Sequence, residues 1–198
     1  MAAPRSDRSK GENKKMSELL KQICSNGFAL FIPIFLWNLI FLKKLPPVFE
    51  NKTFDKNIPK YVLIGESIFR AIIFVIPILT EINFTKISES IGIYIFITGV
   101  IVYFLTWLFL IYYPDSKWSK SIIGFCAPAF TPIIWLVGFA FTVNKFNINI
   151  NYNIWFYLAP SIIFVFFHVV HSAIAFKNWN KNTNSLEITK CNEIVSIR

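Results

Sequence analysis

Long apolar runs separated by short polar stretches dominate the chain. Four of them, Tyr61 to Leu79, Ser90 to Tyr113, Ile122 to Val143 and Tyr152 to Phe176, come close to the ~20 residues a helix needs to cross a bilayer. An earlier run, Gly27 to Leu42, is shorter and carries Pro33 and Asn38. Extended to Ile23–Leu45 it makes a fifth span; otherwise it is a half-inserted helix. Lys43, Lys44 and Pro46 follow this run where a cleaved signal peptide needs small residues, so the segment is expected to stay in the protein.

The pattern predicts an all-α fold, a polytopic transmembrane helical bundle of about five spans (four if the first run does not cross), near 23–45, 61–79, 90–113, 122–143 and 152–176. A basic polar leader, 1–22, precedes the bundle and is expected to be mobile. A polar tail, 178–198, follows it, is rich in Asn, Lys, Ser and Thr and is expected to be mobile too, its composition being too polar to build a core.

Composition agrees: 55% of the 198 residues are hydrophobic, 18% aromatic and 16% charged, and the mean hydropathy is +0.52. A soluble domain carries roughly 25% charged residues, so here the solvent of most side chains is lipid. Basic residues set an orientation. The first loop holds Lys43, Lys44, Lys52, Lys56 and Lys60, the third Lys117 and Lys120, and the tail Lys177, Lys181, Lys190 and Arg198, whereas the intervening loops hold only Lys86 and Lys145. The positive-inside rule then puts the tail, and with it the C-terminus, in the cytoplasm beside the first and third loops. Arg5, Arg8, Lys10, Lys14, Lys15 and Lys21 oppose a five-span count. Two readings restore the charge bias: a natural start at Met16, or a first run that does not cross. The net charge of +9 follows from the same bias and calls for no nucleic-acid partner; membrane lipids are the expected surroundings.

Ionisable groups within the spans carry the chemical information, because each is costly in hydrocarbon unless paired or hydrated. Glu66 and Arg70 stand four apart on one helix face, and His168 and His171 stand three apart on another, alongside Ser161 and Ser172. At about 1.5 Å per residue, both pairs fall roughly 8–14 Å inside the same leaflet. Asn38 reaches that level from the first run. Pro128 and Pro132 interrupt the helix hydrogen bonds around Thr131 there, and broken backbone at that depth needs protein or a water-filled cavity beside it. The candidate cluster is therefore Glu66, Arg70, His168, His171, Asn38 and Thr131.

Four roles fit such a cluster. It is an ion pair that serves packing alone; a pocket open to the cytoplasmic leaflet that binds or moves a small amphipathic or ionic ligand, with Arg70 holding an anion; the acid–base centre of a membrane enzyme with a lipid-like substrate; or part of a regulatory subunit. No metal is expected, since His-x-x-His is a weak motif and Arg70 repels a cation. No cofactor is expected either, because the two histidines share one face and cannot bracket a haem. Cys24, Cys126 and Cys191 show no paired spacing. No polar stripe continues through the outer half, so a pore would require an oligomer.

Overall fold

The computed structural model describes residues 15–17, 25–82, 84–148 and 150–196; most of the leader 1–22 lies outside them. Among the described residues, five helical segments are long and apolar enough to cross a membrane: Gly27–Lys44, Lys60–Leu79, Ile87–Tyr112, Ile122–Thr142 and Trp155–Lys181. The chain is an all-α bundle, and its five apolar helices fit an integral multi-pass membrane protein. The first run is thus helical over a span's length, α1 (Ile32–Phe41) being flanked by 3₁₀ turns at Gly27–Phe31 and Leu42–Lys44.

A short helix, α2 (Asn51–Phe54), lies in the first loop. The second span is α3 (Lys60–Val75), which tightens into a 3₁₀ turn at Ile76–Leu79 where Pro77 lacks an N–H. The third is α4 (Ile87–Tyr112). The fourth is broken into α5 (Ile122–Phe130) and α6 (Pro132–Thr142). Thr131 keeps helical angles at the junction, and both its backbone N–H and its hydroxyl donate to the Ala127 carbonyl, at 3.0 and 2.8 Å. Of the two outcomes the proline spacing allows, a kink or an unwound segment, the structure shows a joint between two helices with no unwound turn. The last helix, α7 (Trp155–Ser196), continues well past the apolar run; residues 177–196 contain neither Gly nor Pro, so nothing in the polar tail stops it.

The fourth span is the hub, with 67% of its most apolar stretch buried against 17% for the first span. Its α6 half packs most extensively on α4, while α3 and α5 both pack on α7. The α4–α6 approach depends on glycine: a Cβ at Gly99 would collide with the backbone of Ile134 and Trp135, and one at Gly138 with the backbone of Phe96. Phe31, Trp135, Phe139 and Tyr157 fill the centre.

At one end, β1 (Thr80–Glu81) pairs antiparallel with β2 (Lys145–Phe146), and Asn26 bridges to Glu81. Buried Glu89 belongs to this end. It accepts from the Thr85 and Lys86 N–H groups at 2.5 and 2.9 Å and from Asn144 Nδ2 at 2.6 Å, which caps α4 and ties it to the strand pair. The opposite end gathers the first loop, the third loop and the start of the tail, since Pro46, Pro47, Asp115, Lys120 and Trp179 border one surface cavity there. The three segments richest in lysine therefore share one side of the bundle.

Candidate functional site

Glu66 is the centre of the cluster. It lies on the buried face of α3 at 3% exposure, and its carboxylate is surrounded by donors. Arg70, one turn along the same helix, forms an ion pair with Oε1. From α7, His168 Nδ1 lies 2.9 Å from Oε1 and His171 Nδ1 lies 2.6 Å from Oε2. A carboxylate only accepts, so both rings present N–H at Nδ1. The i,i+4 pair of α3 and the i,i+3 pair of α7 face each other because α3 packs along α7, with Gly65 against the Phe167 ring.

A fifth ionisable group completes the set. Asp55 Oδ1 is 3.3 Å from His171 Nε2, and the Phe54 carbonyl is 3.4 Å from the same nitrogen. Both nitrogens of His171 thus face acceptors, an arrangement that a ring protonated at each nitrogen satisfies. The turn that places Asp55 is held in two ways. Asn57 adopts the left-handed region at φ 60°, which Asn tolerates better than most residues. Asn178 Nδ2 then donates to the Lys56 carbonyl at 3.0 Å, fastening the turn to α7. Asp55 is half exposed, so Asp55, His171, Glu66 and His168 form a continuous polar chain from the bundle's edge inward.

Two cavities flank this chain. One, of about 320 Å³, is bordered by Glu66, Ser67, Arg70, His168, His171 and Asp55, with Trp107, Pro128 and Ala129 opposite. The other, of about 260 Å³, is bordered by Phe35, Asn38, Phe74, Tyr103, Trp135 and Phe164 among others. Arg70, Trp107, Pro128 and His168 border both. The Arg70 guanidinium lies over the Phe164 ring at 5.9 Å, and Phe164 stacks on His168 with centroids 5.3 Å apart. A polar chamber and an aromatic chamber thus adjoin, with a cation and an imidazole at their junction.

Of the six residues picked from the sequence, Glu66, Arg70, His168 and His171 meet directly. Asn38 borders the aromatic chamber, where its Oδ1 accepts from the Tyr103 hydroxyl at 3.1 Å. Thr131 is buried beneath the chambers and borders neither; its hydroxyl is used on its own helix. Ser161 likewise donates back to the Tyr157 carbonyl at 2.7 Å, whereas Ser172 borders the polar chamber. Sequence reasoning missed Asp55, Ser67 and Trp107. Ser67 lies between Glu66 and Arg70 within the same turn of helix, and that adjacency was a usable signal. Asp55, in a polar loop, had none.

The polar groups facing the junction are mainly donors. Glu66 is occupied by three donors and the Asn38 carbonyl oxygen by Tyr103. Arg70 retains guanidinium N–H groups beyond the one on Glu66. The indole N–H of Trp135 is buried without a partner among the described residues. Comparison with family models, with curated proteins and with solved structures finds no match for this chain.

Proposed function

We propose that this protein binds a small amphipathic ligand within the membrane, its polar end at the Arg70–His168 junction and its apolar body in the aromatic chamber. One observation carries the reading: a charged cluster borders open space instead of being packed shut. A pair that served packing alone would be enclosed by side chains. Here Glu66 is enclosed, but Arg70 is 49% exposed at about 15 Å from the Lys60 end of α3, counting ~1.5 Å per residue. A half-exposed charge at that depth is costly unless water or a ligand meets it. The lysines of the first loop, third loop and tail favour the cytoplasmic leaflet for the chambers.

The test is a thermal-shift panel of carboxylated, phosphorylated, cationic and neutral single-chain amphiphiles on protein in lipid nanodiscs. The comparison protein is the double variant Glu66→Gln with Arg70→Met, which removes both charges together. At least one class should raise the Tm of the wild type by several degrees and leave the variant unmoved, since a ligand at ~100 times its Kd adds about 2.7 kcal/mol to the native state. A wild type indifferent to every class overturns the reading. Orientation is checked separately on a cysteine-free background. A cysteine at Asp115 should resist a membrane-impermeant maleimide in intact cells, while one at Lys145 reacts; the reverse pattern would turn the chambers outward.

A further inference from the structure

The binding reading leaves open the ligand's chemistry and its route, and α3 bears on both. Ser67, Arg70, Phe74 and Ile78 recur at helical spacing and form one stripe. Phe74 on this stripe meets α1 and the turn before it, its ring 4.9 Å from Phe35 and 5.7 Å from Phe31. Nearer the loop end, α1 leans on α4 instead, with Trp37 stacked on Phe104 at 4.0 Å and Asn38 bound to Tyr103. The same stripe is consequently uncovered at Ser67 and Arg70, both exposed. The two helices touch at one end and part at the other. The gap between them adjoins the junction of the chambers, since Asn38 of α1 and Arg70 of α3 border the same cavity.

We propose that a lipid-borne carboxylic acid with a single chain enters through this α1–α3 gap and docks its carboxylate on Arg70. The inference rests on the binding reading and adds three arguments. The junction pairs the donors of Arg70 with one free acceptor, His168 Nε2, which suits a ligand end that gives up a single proton and then only accepts. The aromatic chamber, about 260 Å³, is too small for the two chains and headgroup of a phospholipid but receives part of one chain. A carboxylic acid crosses hydrocarbon as the neutral form and ionises only where a partner waits.

The proton balance closes within the site. The acid's O–H proton passes to the free Nε2 of His168, leaving a carboxylate that pairs with Arg70. His168 keeps its Nδ1–H on Glu66. When the acid leaves, His168 Nε2 returns the proton to the carboxylate, so the protonation of Glu66 and His171 is unchanged. Arg70 holds its charge throughout. The α1, α4 and α5 elements add only the Tyr103 phenol to the titratable groups bordering the two chambers.

Tryptophan quenching by bromine tests this in nanodiscs, because Trp107 and Trp135 border the aromatic chamber. The probes are dibromostearic acid, its methyl ester and a dibromo-alkyl phosphate. The acid should quench saturably at a concentration about tenfold below the ester, the scale of one charge-assisted contact, and below the phosphate. Ser67→Phe, which fills the mouth of the gap without touching the ion pairs, should abolish saturation; so should the Glu66→Gln with Arg70→Met double variant. Equal quenching by acid and ester, preference for the phosphate, or undiminished binding in Ser67→Phe overturns the proposal. If none of the three probes saturates while another class in the thermal panel still stabilises the wild type, this inference falls and the binding reading stands. If no class stabilises either, both fall together.

Discussion

Two helix pairs in this bundle are built on opposite rules. Along α4 and α6, glycines let backbone meet backbone, and bulky rings fill the space beside them. Between α1 and α3, Phe74 meets Phe35 and, just before α1, Phe31 at one end, and Ser67 and Arg70 are exposed at the other. In lipid, apolar side chains gain little by leaving the solvent, so close packing and polar contacts decide which helices adhere. The α4–α6 pair has the first of these along most of its length. The α1–α3 pair has it only at a tip, which lets the bundle keep an opening beside Arg70 without loosening its centre.

Substituting the tight pair should have the largest effect. Gly138→Leu would drive a side chain into the Phe96 backbone and is expected to cost at least ~3 kcal/mol, read as loss of a monodisperse peak in detergent or a Tm lowered by well over 5 °C. A tolerated leucine there would show that α4 and α6 slide freely, and the comparison would lose its fixed half. Next comes Glu66→Gln, which leaves Arg70 and the His171 bridge without a carboxylate. A cost of about 2 kcal/mol follows for the buried part of the network. Arg70→Met should cost less, because that side chain is half exposed and partly screened.

The double variant Glu66→Gln with Arg70→Met should recover part of the single-variant loss, a coupling of roughly 1 kcal/mol in a double-mutant cycle. Strict additivity would mean that the two charges do not sense each other, and the ion pair would carry no weight. Smallest of all is Leu39→Ala on the outer face of α1, where the side chain is 70% exposed. It should shift stability by no more than about 0.5 kcal/mol. A drop comparable to Gly138→Leu would reveal a covering partner on α1, such as a second copy of the chain.

The ionisable pairs were legible because helical periodicity fixes what shares a face. Glu66 and Arg70 stand four positions apart and His168 and His171 three, so each pair could be assigned to one stripe before any packing was known. Depth followed from the rise per residue, which placed both pairs in one leaflet and made their meeting an expectation. Thr131 went the other way. Proximity to two prolines suggested a polar lining, yet a threonine hydroxyl in a helix is readily satisfied by the carbonyl four residues back, and its 2.8 Å bond to Ala127 takes it out of the chambers.

What the sequence determined by itself is what hydrocarbon demands of any chain: apolar helices about 20 residues long, their approximate ends, and the few polar side chains that must avoid lipid. Those properties are local, carried by residues within a few turns of one another. The tertiary structure decided which faces meet and where they do not. Asp55 joins His171 across 116 positions of chain, a contact set by the Asn57 turn and the Asn178 tie. Arg70 stays half exposed at the end where α1 stacks on α4, through Trp37 on Phe104 and Asn38 on Tyr103. Both depend on a competition between distant surfaces, and hydropathy along the chain carries no record of which surface wins.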